Sequence, residues 1–394
     1  MTSDFASRAR TILDEAIAAG VPGVVAMARD RERTIFSACA GVRRLGAPAP
    51  MTEDTILALF SCTKPLTATV ALRLVEDGRL DLDRPAKDYL PALGEIGVFD
   101  GLAPDGSVKM RAPKRDITAR MLLLHTAGFG YDFANPLIGR LVAEGRAPSH
   151  RSQTHAGFRQ PLVNEPGEAW EYGISMDWLG MVLEACAGAK LDALLREIVL
   201  DPLGMKDTGW RVPPAARGRL ASMHQREADG AVVATDMAPR ETSELCPGGG
   251  GAYGTAGDYL RFLGLWFNDG AGVLKPETIA WAVRDGLDGL KVRPLPAVAP
   301  RVSGPLDFFP GAQKSWAYSF LRNDADLPTG RPAGSLAWAG LGNVYFWIDR
   351  RNGIAGFWGS QLFPFLDPAS YGGALTFETA LYESLAGARR KRAE

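Results

Sequence analysis

The chain has 394 residues, 46% of them hydrophobic, which is enough for a large core or for two lobes that share an interface. Its 44 basic and 45 acidic residues leave a net charge of −1, a balance that speaks against nucleic acid or an acidic membrane surface as the main partner. Four cysteines, Cys39, Cys62, Cys186 and Cys246, show no paired spacing, which argues against a disulfide framework or a zinc site and fits a reducing compartment.

The opening stretch "SDFASRARTILDEAIAAG" places apolar residues at helical spacing and stops at Gly20, so it predicts a first helix. That stretch is amphipathic and carries Asp4, unlike a secretory signal, and no run reaches the roughly 18 apolar residues of a membrane span. The expectation is a cytoplasmic protein with no membrane partner. "VPGVVAMARD" and "RTIFSACAGVRR" flank the charged turn "DRER" and read as an antiparallel hairpin. "TKPLTATVALRLVEDG" reads as a long helix ending at Gly78, with Pro65 in the first turn, where its missing N–H does no harm.

Residues 85–330 read as helices joined by long loops. "ITARMLLLHTAGF", "MDWLGMVLEACAG", "KLDALLREIVLDPLGM", "TAGDYLRFLGLWFNDG" and "KPETIAWAVRD" supply the helices, and loops of that length often mark a substrate region. "GSLAWAG" then predicts a strand, and "NVYFWIDRRNGIAGFWGSQ" two more around an "RRNG" turn. "GGALTFETALYESLAGARR" closes the chain as a helix, and the basic "RRKR" at 389–392 reads as a solvated end. The expected fold is α/β: an antiparallel sheet built from 1–84 and 331–394, flanked by helices, plus a mostly helical domain over 85–330. The active site is expected at their interface.

Ser61 and Lys64, in "SCTK", stand three residues apart at the start of the long helix, so their side chains share a face. The helix N-terminus favours negative charge developing on the serine oxygen. A lysine kept from water loses part of its affinity for a proton and can take one from the serine. The competing reading is a capped helix with a solvated lysine. Tyr172, in "EPGEAWEYG", follows a Pro-Gly turn and precedes an apolar helix. A lysine cation beside it would ease ionisation of its phenol and make it a base; the alternative is a core tyrosine with one satisfied hydroxyl.

"SLAWAGLGN" supplies a strand ending at Ala339 and Gly340, where backbone can approach a bound acyl group closely. The N–H groups of Ser61 and Leu341 then form a candidate oxyanion hole. Four consecutive glycines at 248–251 form either a flexible turn or a loop whose backbone lines the site. His125, in "LLLHTAGF", reads as a structural residue capping its helix. No G-x-S-x-G elbow surrounds any serine, and no H-E-x-x-H or carboxylate cluster calls for a metal or cofactor.

Taken in order, "SCTK", "LLLHTAGF", "PGEAWEYG", "DPLGMKDTGW", "PGGGGAYGTAGDYLRF" and "WAG" resemble the serine β-lactamase and penicillin-binding-protein superfamily. The likeness is strongest to its class C-like carboxylesterases (esterase family VIII) and the related fungal polyketide acyltransferases, and it runs over residues 10–385. It implies that Ser61 is acylated, that Lys64 exchanges its proton, and that Tyr172 stands where the family places a general base. Trp338-Ala339-Gly340 takes the place of the Lys-Thr-Gly strand of true β-lactamases. Two positions depart from that pattern: Tyr172-Gly173-Ile174 lacks the asparagine of Tyr-x-Asn, and Trp338 replaces the lysine that would hold a lactam carboxylate.

Both departures favour neutral esters. The expected function is hydrolysis of small to medium acyl or aryl esters through an acyl-enzyme, with a small-molecule ester as partner and no cofactor. Phe60, Phe129, Tyr131, Trp170 and Trp338, with Ala339 and Gly340, are the candidate substrate-binding residues. Three alternatives stay open: an acyltransferase acting on a natural-product alcohol, a weak β-lactamase or D-amino-acid peptidase, and a binding protein that kept the fold alone.

Overall fold

A computed structural model describes residues 3–239 and 243–393. Its main sheet has seven antiparallel strands: β1 (Gly23–Arg29), β2 (Thr34–Gly41), β3 (Lys314–Ala317), β4 (Phe320–Asn323), β5 (Leu336–Gly340), β6 (Val344–Asp349) and β7 (Ile354–Gly359). Their order across the sheet is β2-β1-β7-β6-β5-β4-β3. The two ends of the chain meet where β1 pairs with β7, with Val25 opposite Gly359. The hairpin between β1 and β2 turns where the "DRER" segment predicts: the Asp30 carboxylate accepts the N–H groups of Glu32 at 2.9 Å and Arg33 at 2.8 Å.

Every residue of β6 and β7 is buried, because helices cover both faces of the sheet. On one face lie the helices α1 (Ser3–Ala18) and α5 (Pro368–Ala393), where Phe5, Phe36 and Phe377 form a cluster with ring centroids 5.2–6.0 Å apart. The helix α5 starts earlier than the "GGALT" pattern implies, because Asp367 accepts the N–H groups of Ala369 and Ser370 and caps it. The side chains of "RRKR" lie outside the described residues. On the other face, α4 (Ala256–Leu265) packs against β1 and β7.

The strands β3 and β4 come from a stretch expected to hold helices and long loops. Their four-residue length and their turn explain the difference: Ser319 takes the left-handed conformation, φ +76°, without the Asn or Gly that marks such a hairpin in sequence. A further hairpin, Val98–Leu102 with Val108–Arg111, also lies within that stretch. The helix α2 (Thr63–Glu76) sits at the centre of the molecule, buried on all sides from Thr63 to Leu72, and packs against α3 (Ser175–Ala187). Among the described residues no helix is long and apolar enough to cross a membrane, and no cluster of His, Cys, Asp or Glu could hold a metal ion. All four cysteines are free thiols.

Candidate active site

A short strand, Ile56–Ala58, leads into one 3-10 turn, Phe60–Cys62, and then directly into α2. Phe60 absorbs the change of direction with φ +46°, a conformation that costs a residue with a side chain about 1–3 kcal/mol and persists only when the surroundings hold it. The Leu59 N–H donates to Ala252 O at 2.8 Å, and the Thr63 hydroxyl to Phe60 O at 2.6 Å. Gly340, at the end of β5, permits this turn to lie on the sheet: a β-carbon there would sit 2.2 Å from Leu59 O. The glycine thus lets strand and nucleophile turn pack together.

Lys64 is fully buried, which removes the solvated-lysine reading. Its Nζ lies 3.0 Å from Ser61 Oγ and 3.0 Å from Tyr131 OH, and it donates to Gly249 O at 2.7 Å. It also stands 4.7 Å from the centre of the Tyr172 ring. Burial pushes the Lys64 ammonium down to about 7, partly opposed by the nearby Asp177 carboxylate. Asp177, in the first turn of α3, is itself pushed up by burial to about 6. Its Oδ1 accepts the Gly249 N–H at 2.9 Å and its Oδ2 faces Tyr131 OH at 3.4 Å.

The four-glycine loop therefore lines the site with its backbone. Gly249 must be glycine there, since a β-carbon would meet Asp177 Oδ2 at 2.5 Å and Tyr131 OH at 2.9 Å. Next to it, Gly248 O accepts the Thr67 hydroxyl of α2 at 2.8 Å.

The Tyr172 hydroxyl donates to Ser61 Oγ at 2.7 Å and accepts the Trp338 Nε1–H at 3.3 Å. Burial raises its phenol above the usual tyrosine range, and this outweighs its hydrogen bonds with Ser61 and Trp338, which lower it. The cation effect expected from sequence is thus overridden by desolvation. His125 caps its helix, its left-handed backbone (φ +55°) bringing its N–H to Leu122 O at 3.4 Å and the Thr126 N–H to Met121 O at 2.9 Å. It also brackets this tyrosine: its carbonyl accepts the Glu171 N–H at 2.8 Å, and its Nδ1 the Gly173 N–H at 3.4 Å. Glu171, fully buried, takes Asn135 at 3.1 Å and pairs with Arg293, so the segment around Tyr172 is anchored from both sides.

A cavity of about 370 Å³ opens at Ser61. Its walls are apolar through Phe60, Phe133, Phe158, Val302, Leu341 and Phe363, and polar through Asp177, His150, Arg151 and Gln153. Of the candidate substrate-binding residues, Phe60 and Tyr131 line this cavity, and Leu341 joins Ser61 in its wall. Phe129, Trp170, Trp338, Ala339 and Gly340 do not. Phe129 is fully buried and stacks on Trp178 at 5.9 Å, and Trp170 packs between Tyr172 and Trp316. Trp338 lies edge-on to Tyr172 at 5.0 Å and borders two separate cavities away from Ser61. Of the two readings of the glycine run, the site-lining loop is the one present; Asp177 carries no motif signal for the site, because its contacts to Gly249 and Tyr131 are long-range.

Residues 9–381 match the Beta-lactamase family model. The chain belongs to the β-lactamase family. Among its relatives in this family is the monacolin J acid methylbutanoyltransferase of Aspergillus terreus, 30% identical over 379 residues and covering 92% of each chain. Another is the lovastatin esterase of Penicillium rubens, 29% identical over 355 residues, covering 85% of this chain and 88% of that one. The solved structure of simvastatin synthase (LovD) from Aspergillus terreus superposes with a TM-score of 0.85 at 29% identity, covering 97% of this chain and 99% of that one. This branch of the β-lactamase family therefore includes both acyltransferases and an esterase.

Proposed function

We propose that this chain is a serine esterase that cleaves neutral esters through an acyl-enzyme on Ser61. The observation that carries the reading is the buried contact of three groups: Ser61 Oγ lies 3.0 Å from Lys64 Nζ and 2.7 Å from Tyr172 OH. Lys64, its proton affinity lowered by burial, is the base that takes the Ser61 proton as Oγ attacks the ester carbonyl. Tyr172, protonated at rest, passes its proton to the departing alcohol oxygen and is reprotonated by the proton that Lys64 took from Ser61. The N–H groups of Ser61 and Leu341 are the proposed donors to the oxyanion, with Leu341 beside Ser61 in the cavity wall. Water then attacks the acyl carbonyl, gives its proton back through the same groups, and releases the acid.

The cavity supports a neutral, apolar acyl or aryl group. Its volume falls in the range of small-molecule sites. The basic side chain in its wall, Arg151, lies 3.4 Å from Asp132. A fluorophosphonate should label Ser61, and Ser61→Ala should lose both the label and the hydrolysis of short p-nitrophenyl esters. Hydrolysis that survives Ser61→Ala would overturn the reading.

A second reading keeps the acyl-enzyme and replaces water with an alcohol. The 30% identity to a methylbutanoyltransferase over 92% of the chain favours it. Product analysis with and without an added alcohol acceptor separates the two.

A further inference from the structure

Lys64 has a carboxylate one group behind it that the acyl-transfer reading leaves unused. We propose that Asp177 is a positioning residue: the buried counter-charge that holds Lys64 toward Ser61 and sets how readily its ammonium gives up a proton. This rests on Ser61 being the acylated nucleophile.

Two short relays link the groups, and no direct ion pair joins them. In one, Asp177 Oδ1 holds the Gly249 N–H at 2.9 Å, and the carbonyl of the same glycine accepts from Lys64 at 2.7 Å. In the other, Asp177 Oδ2 faces Tyr131 OH at 3.4 Å, which lies 3.0 Å from Lys64 Nζ. Moving the carboxylate would therefore turn the Gly249 carbonyl and release Tyr131 together. An asparagine could keep the bond from the Gly249 N–H but, with an amide nitrogen in place of Oδ2, could not accept the Tyr131 hydroxyl; the residue is an acid, and it is only 3% exposed. A buried charge is costly unless an opposite charge answers it.

The groups around Lys64 leave one candidate for that answer. Cys62, at the end of the turn that leads into α2, keeps its proton because burial raises the thiol. Tyr131 and Tyr172 are raised by burial, as is Tyr259, whose hydroxyl donates to Cys62 O. From the other side, His125 is held neutral by burial, and His150, beside the Tyr131 ring, is pushed down to about 4. Asp132 is already matched by Arg151 at 3.4 Å. Among the described residues only Asp177 faces Lys64 as a charge of opposite sign without another cation of its own. When Lys64 takes the Ser61 proton, the new ammonium is stabilised by Asp177; without it, burial alone would leave the amine too weak a base.

The test is the pH dependence of kcat/KM on p-nitrophenyl butyrate. Asp177→Asn removes the charge and keeps the shape, so Lys64 should lose affinity for its proton. The acidic limb should move to lower pH by about one unit, the low end for loss of a nearby opposite charge, and the plateau should fall. Asp177→Glu should return the limb toward the wild-type position. A variant that loses rate while its limb stays in place overturns the proposal, because a purely structural aspartate would behave that way. If Asp177→Asn does not fold, Asp177→Ser gives a second neutral variant with the same expected shift and the same refutation. Fluorophosphonate labelling separates the two claims. A wild-type chain that fails to label at Ser61 defeats the esterase reading and this one with it, whereas a labelled chain with an unmoved limb defeats only the role of Asp177.

Discussion

Replacing Tyr172 by phenylalanine separates chemistry from packing. The ring stays in its cage, with His125, Tyr131, Trp170 and Trp338 at centroid distances of 4.9–6.4 Å, so no cavity larger than a hydroxyl opens. Two hydrogen bonds are lost: the one to Ser61 at 2.7 Å, and the one accepted from Trp338 Nε1 at 3.3 Å. The second leaves a buried indole N–H without a partner, which costs about 1–3 kcal/mol, offset in part because the phenol no longer has to be desolvated. Net destabilisation should be about 1 kcal/mol, a shift of a degree or two in the melting temperature of a chain this long. Activity should respond far more. Removing a group that donates a proton in the transition state typically costs 10²–10⁴-fold, about 2.7–5.4 kcal/mol in barrier. The assay is kcat/KM on a p-nitrophenyl ester series beside a thermal melt of the same sample. A Tyr172→Phe chain that keeps activity within about threefold of wild type would refute the assignment of Tyr172 to proton transfer.

At Gly249, an alanine would press its methyl group against Asp177 Oδ2 and Tyr131 OH, so Gly249→Ala should turn the carbonyl that holds Lys64. Displacements of this kind cost roughly 10²-fold in rate, and kcat should fall more than KM rises. The Lys64 amine binds its proton less tightly in the folded chain, about 7, than its ordinary value of 10.5. In that window the unfolded chain holds more protons, so stability rises with pH. From pH 7 to about 8, below the ordinary thiol range, the Lys64 contribution should be about 1 kcal/mol, read as the part of the rise in melting temperature that Lys64→Met removes. Far from the site, Arg331 makes two bonds to Glu378, at 2.5 and 2.8 Å, with both side chains buried. Glu378→Ala strands the guanidinium and should cost about 3–5 kcal/mol in chemical denaturation, while fluorophosphonate labelling of the folded fraction is unchanged.

Much of the fold was legible because its signals are local. The turn after β1 and the central helix announce themselves through Asp30 and through Pro65 and Gly78. The strands β3 and β4 were not legible, because Ser319 adopts a left-handed backbone with no residue-type marker and the strands are too short to show alternation. The start of α5 was misplaced for a related reason: the Asp367 cap looks like an ordinary loop aspartate until its acceptors are seen. Trp338 illustrates a different limit. Its identity, and its place at the position of the missing lysine, could be read from the chain. Its indole N–H bonds Tyr172, and that depends on the side to which the strand's register turns the ring.

The site has a sequence signal that composition and motif spacing leave out. Burial covers α2 from Thr63 to Leu72 and α3 from Ser175 to Leu183, and each of these apolar stretches carries one charged residue near its start. In α2 that residue is Lys64 and in α3 it is Asp177, opposite in sign. A helix hydrophobic on every face has no solvent side on which to place a charge, so each of the two calls for a partner from elsewhere in the fold. With two such charges of opposite sign, each becomes the natural partner of the other. Tyr131 and Gly249, which connect them, cannot be found this way, because neither breaks the pattern of its own segment. Their part follows only from the three-dimensional fact that the glycine loop passes between the two helix starts, close enough that a single added methyl group would collide with Asp177.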